Sequence, residues 1–175
     1  MVKRIIEKTA VTAVLVLYWL LGVQTGYQNG YADGTPVGTV MEEHVLAMVS
    51  HAGAWHLAGN LFVLWLIAGR LHLLPSLAIA FLMSFVPAFG IVWPMSGVTM
   101  GFSGVLFAII GIKWGIYCRS FDPAGTAFVR RAVREFCVKV LPFALIGIFI
   151  PQVNWCVHLY CVLTGFAYGY RKDGH

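Results

Sequence analysis

Long stretches of this chain carry almost no charge. Between Glu43 and Asp122 there is no Asp or Glu, and the only Lys or Arg are Arg70, Lys113 and Arg119. None of the residues from Phe136 to Lys172 is a carboxylate. Of 175 residues 59% are hydrophobic and 11% charged, against about 25% charged in a soluble domain. The sequence is that of an all-α membrane protein with several spans. Its length suits one transmembrane domain over residues 1–175, with little room for a separate soluble one.

Six apolar segments are expected, at about Thr9–Val23, Trp55–Leu71, Leu74–Trp93, Ser103–Tyr117, Phe136–Ile150 and Asn154–Tyr170. Several fall short of the ~20 residues a crossing needs, which suits helices that start at depth beside protein or a water-filled cavity. The basic residues decide the orientation. With the N-terminus inside, Arg70, the cluster from Lys113 to Lys139 and the pair Arg171–Lys172 all fall on the inner side, while the outer loops keep Asp33, Glu42 and Glu43. Six spans, N-in and C-in, obey the positive-inside rule throughout. That rule accounts for the net charge of +5, so no nucleic-acid partner is implied.

The first outer loop, residues 24–54, is turn-rich around Tyr27–Pro36. Glu42–Val49 reads as a short helix on the membrane surface. The inner loop, residues 119–135, is basic and reads either as a segment facing anionic lipid or as a plain inside anchor. Pro94, Gly97 and Gly101 stand close together, so the stretch before the fourth span is expected to be a re-entrant loop. Cys118, Cys137, Cys156 and Cys161 fit no zinc spacing and read as small packing residues. The N-terminal apolar run lacks a clear cleavage site and is expected to remain as the first span.

Three groups of residues point to chemistry. Gly101-Phe102-Ser103-Gly104 opens the fourth span, where free N–H groups and the helix dipole favour a developing oxyanion. If Lys113 reaches the inner interface, Ser103, ten residues earlier, lies roughly 15 Å up the helix, within the membrane. His158 lies in the last apolar segment, and an ionisable residue there is a functional candidate by default. Two small-residue stripes, Gly104, Ala108, Gly111, Gly115 and Cys161, Gly165, Gly169, would let the two helices pack closely and bring Ser103 to His158. No carboxylate stands at that depth, so a Ser/His dyad is expected rather than a triad. His56 and Asn60 share one face of the second span and can both donate hydrogen bonds. His51 precedes them and would pack against the same loop. No metal or other cofactor is implied, since H-E-x-x-H is absent.

With these residues in place the chain resembles the rhomboid intramembrane serine proteases. It carries H-x4-H-x3-N as His51, His56 and Asn60, G-x-S-G as Gly101–Gly104, and the sixth-span histidine as His158 with Gly165 seven residues on. The resemblance implies a six-helix rhomboid-like bundle with a cavity open to the outside. It also implies Ser103 as nucleophile, His158 as base, and an oxyanion hole of His56, Asn60 and the Ser103 amide. Phe107 would cover the histidine. Substrates would be single-span membrane proteins, cut in or near the outer part of the transmembrane segment. The Trp-Arg pair that many members carry in the first loop is Glu42-Glu43-His44-Val45 here, and a glycine usual after the histidine is Cys161. The small size suggests a prokaryotic inner membrane.

The alternative is a catalytically inactive rhomboid-like protein that binds membrane clients; such relatives usually lose the serine or histidine, and both remain here. A prenyl-protein endopeptidase would need an Arg just after Glu42-Glu43. A small transporter would show matched broken helices in two halves, and no such repeat is present.

Overall fold

The computed structural model of the chain describes residues 2–25, 31–32, 41–67, 69–86, 98–120, 126–142 and 155–171. Helix α1 (Val2–Thr25) comes first. Strand β1 (Tyr31–Ala32), α2 (Met41–Ala47), α3 (Ala54–Leu66) and α4 (Leu73–Ser84) follow. Strand β2 (Val98–Thr99) precedes α5 (Ser103–Arg119). Helix α6 (Thr126–Glu135) runs into a π-helical turn at Phe136–Val140, and α7 (Trp155–Arg171) comes last. The protein is mostly helical. A minimal antiparallel ladder, Tyr31 opposite Thr99 and Ala32 opposite Val98, is an addition to the all-helical expectation.

Several segments differ from the sequence reading. Helix α3 stops at Leu66 because the chain turns through Gly69 at φ 82° and His72 at φ 50°. The basic stretch expected as a loop is largely α6, and the expected start of the fifth span falls in the π-helical turn. Residues 143–150 of that span and residues 87–97, which include most of the expected re-entrant loop, lie outside the described residues. So do residues 26–30 and 33–40 of the first loop. Among the described residues, Val2–Gly22 is the helix with both the length and the hydropathy of a full crossing; α3 and α4 are apolar but shorter.

Helix α5 is the centre. Every residue from Val105 to Ile112 is buried. Its main partner is α7, which buries Cys156, Val157, His158, Cys161, Val162, Gly165 and Gly169 along one face. The two helices run parallel, since Ser103 meets His158 near their starts and Gly115 meets Tyr170 near their ends. Their backbones are in direct contact. A Cβ on Gly111 would overlap the Val162 carbonyl oxygen, and one on Gly165 would stand 2.5 Å from the Ala108 carbonyl oxygen. Glycine at such positions lets helices approach to backbone distance, where dispersion and Cα–H···O contacts hold them without a hydrophobic driving force. Gly104 does not belong to this seam: a Cβ there would meet Cys161 Sγ at 3.6 Å and Ala80 Cβ at 3.7 Å, ordinary contacts.

Helices α1 and α3 are joined by polar contacts instead. Lys8 is 8% exposed, and its ammonium donates to the carbonyls of Trp65 (3.2 Å) and Ile67 at the end of α3. A helix end leaves such carbonyls unpaired and favours a cation there. Trp65 Nε1 returns a bond to Thr12 Oγ1 at 3.1 Å. Lys8 is therefore a helix cap, which the positive-inside reading alone does not reveal.

Candidate active site

Ser103 is the first residue of α5, and its hydroxyl lies 2.7 Å from His158 Nε2. The serine comes before the helix has made a full turn, so its amide has no intrahelical acceptor. For Nε2 to take the serine proton, the imidazole must carry its own hydrogen on Nδ1. That Nδ1 is buried and meets no acceptor among the described residues. The ring is held by stacking instead: Phe107, one turn into α5, lies 4.3 Å away between centroids and 18° from parallel. Cys161, on the same face of α7, is fully buried and fills the space beside Gly104.

The donor groups are built around Gly101. This residue sits at φ 120°, a backbone region that side chains disfavour. A Cβ there would stand 2.7 Å from His56 Cε1 and Nε2 and 3.5 Å from Asn60 Nδ2. Conformation and space both demand glycine, and the glycine brings the loop ahead of Ser103 onto these two side chains. The Ala52 amide donates to His56 Nδ1 at 3.5 Å, a long bond that still favours the tautomer with its hydrogen on Nε2. Asn60 is 6% exposed and its Nδ2 has no acceptor among the described residues. Two donors thus sit beside the loop that carries Ser103.

His51 is buried and bonds the Val49 carbonyl at 3.0 Å through Nδ1. It meets the His56 ring edge-on at 5.1 Å between centroids. Burial, and then the neighbouring His56, push its pKa down to about 4, against a small upward pull from the Val49 carbonyl. It stays neutral at ordinary pH and supports His56 from behind. Phe102, 3% exposed, anchors the loop in the core.

The structure therefore brings Ser103, His158 and Phe107 together on α5 and α7, and His56, Asn60 and His51 together on α3 and its lead-in, with Gly101 between the groups. Gly104 stands apart from both as a spacer. Two features escaped the sequence reading. The Gly101 amide donates to the Ala47 carbonyl at 2.7 Å, tying the serine loop to α2; a backbone acceptor has no sequence signature. His44 is 2% exposed, bonds Ser84 Oγ at 2.8 Å and stacks on Phe85 at 3.9 Å. Helix α2 is thus packed onto the end of α4 through a buried polar contact, and is not simply laid on a membrane surface. A histidine set among Val45, Leu46 and Ala47 was the available signal.

The rhomboid domain family model matches residues 40–172, a span that contains α2 through α7 and every candidate site residue. No curated protein and no solved structure matches the chain. With the match covering most of the sequence, the chain is a membrane protein of the rhomboid family.

Proposed function

We propose that the protein is an intramembrane serine endopeptidase that cleaves transmembrane segments of single-span membrane proteins. The observation that carries this reading is the 2.7 Å contact between Ser103 Oγ and His158 Nε2, made at a helix start and covered by Phe107. Ser103 Oγ attacks the scissile carbonyl carbon while His158 Nε2 takes its proton. Negative charge moves to the carbonyl oxygen. The Ser103 amide, His56 Nε2–H and Asn60 Nδ2–H are the donors for that oxyanion. Collapse of the intermediate breaks the C–N bond, and His158 returns the proton to the leaving amine. Water, activated by the same imidazole, then hydrolyses the acyl-serine.

The reading includes six spans with both termini inside, in a prokaryotic inner membrane. The parallel α5–α7 pairing suits that order of crossings. A pocket reached from the outer side supplies the water.

The test is labelling of the detergent-solubilised protein with a fluorophosphonate, alongside hydrolysis of a fluorogenic transmembrane peptide. Labelling of wild type, lost in Ser103→Ala and in His158→Ala, is expected. An unlabelled wild type beside a labelled active rhomboid would overturn the proposal and favour a client-binding role.

A further inference from the structure

Helix α6 has two exposed stripes of different chemistry. Val129 and Val133 are 59% and 54% exposed, and Arg130 and Arg134 are exposed as well. Residues four apart share a helix face, so each pair forms its own stripe. The rotation of the helix is fixed from its other side. Trp114 Nε1 on α5 donates to the Ala132 carbonyl at 3.2 Å. The same indole packs against Phe136 at 5.3 Å and Phe166 at 4.3 Å between ring centroids. Measured round the axis from Ala132, Phe136 falls at about 40°, the valines at about 60° and 100°, and Arg130 and Arg134 at about 160° on either side. The two valines therefore lie to one side of the protein-facing edge, Arg130 and Arg134 stand opposite it, and the exposed Arg131 falls about 100° to the other side. A solvated loop needs no exposed valines, and a plain charge anchor needs no register between valine and arginine. The arrangement matches a helix lying in the membrane interface, its valines level with acyl chains and its guanidinium groups level with phosphates.

We propose that α6 is a docking face for anionic phospholipid headgroups of the inner leaflet, with Arg130 and Arg134 engaging phosphate and Val129 and Val133 seated among acyl chains. Guanidinium groups bind phosphate in a planar, two-pronged geometry that a Lys cannot copy, and the inner leaflet carries the complementary charge. The proposal rests on the inside placement of α6 in the topology given above and is independent of catalysis.

Full-length protein is equilibrated in mixed micelles of equal phosphatidylglycerol and phosphatidylcholine, and the lipid it retains is counted by mass spectrometry. Wild type should enrich phosphatidylglycerol by about fivefold or more over the micelle, and Arg130→Gln with Arg134→Gln should bring the ratio to within about twofold of it. Arg119→Gln with Arg171→Gln removes the same charge elsewhere and should keep most of the enrichment. All four arginines are exposed, so the thermal unfolding of both double variants should follow wild type. No enrichment in wild type, or an equal fall in the two double variants, overturns the proposal. Micelles have no inner and outer leaflet, so this result is separate from the topology. Labelling of Ser120→Cys in a Cys137→Ser background, from either side of intact cells, reports on that.

Discussion

Among the described residues two serine–histidine pairs have nearly the same length. Ser103 and His158 meet at 2.7 Å and His158 stacks on Phe107. Ser84 and His44 meet at 2.8 Å and His44 stacks on Phe85. The difference lies in the helix end each serine occupies. Ser84 is the last residue of α4, and its hydroxyl already donates to the Phe81 carbonyl at 2.6 Å. Its single proton is committed, so His44 Nδ1 has to donate to it. Ser103 is the first residue of α5 and has no preceding helical turn to bond. Its proton is available to His158. The same two residue types therefore make a structural clip at one helix end and a candidate nucleophile at another, and the direction of one proton separates them.

The sharpest way to break this comparison is to remove each serine in turn. Ser103→Ala should lower peptide hydrolysis by about 10³-fold or more, and His158→Ala should do the same. Ser84→Ala should leave the rate within roughly threefold of wild type, since a serine whose proton is held by a backbone carbonyl takes no part in proton transfer. If Ser84→Ala silenced fluorophosphonate labelling and Ser103→Ala did not, the assignment would be reversed.

Gly101→Ala comes next in size. The new Cβ would stand against the His56 ring, displacing the donor proposed for the oxyanion. A fall of roughly 10²-fold in kcat is expected, of the order seen when one such donor is lost. Gly104→Ala, where the contacts are ordinary, should cost far less, and the ratio of the two is the measurement.

Acid should act on the buried histidines His44 and His51 as stability. Burial holds His44 below the ordinary imidazole value, and His51 lies at about 4. In the unfolded chain both take up a proton near pH ~6.5. The folded state binds fewer protons than the unfolded one below that pH, so stability is constant above it and falls as the pH drops. For His51 the loss is complete below about 4. Thermal unfolding across pH should show this slope, and His51→Gln should flatten it. The smallest effect is that of the clip itself: Ser84→Ala should lower stability by about 1 kcal/mol, the usual net value of one hydrogen bond, and a calorimetric scan would register it.

Much of the candidate site could be read from spacing, because its members lie on helices whose faces follow from residue number. His56 and Asn60 share a face at a separation of four, and the small residues of α5 and α7 mark where the two helices close. What the spacing hid was backbone and burial. Gly104 and Gly111 look alike in sequence, yet only Gly111 touches the backbone of α7; the angle at which two helices cross decides this, not composition. Lys8 belongs to a basic cluster that satisfies the inside rule, and its use as a cap on α3 arises only when α1 and α3 are side by side. His44 lies in a stretch that departs from the pattern usual in the family, and its partner Ser84 is 40 residues away. The family match covers residues 40–172, so all of α1, Lys8 included, is joined to the rest through contacts that no motif records.

Because His158 sits on α7, the candidate dyad depends on a helix made well after the one that carries Ser103. A nascent chain that has emerged only as far as α6 already displays the serine, but His158 is not yet there to receive its proton. The two meet where Gly165 and Gly169 pack against the backbone of α5. If the protein cuts as proposed, assembly of the α5–α7 seam is also a safety: a molecule that has not closed it has no His158 beside Ser103 and stays inert.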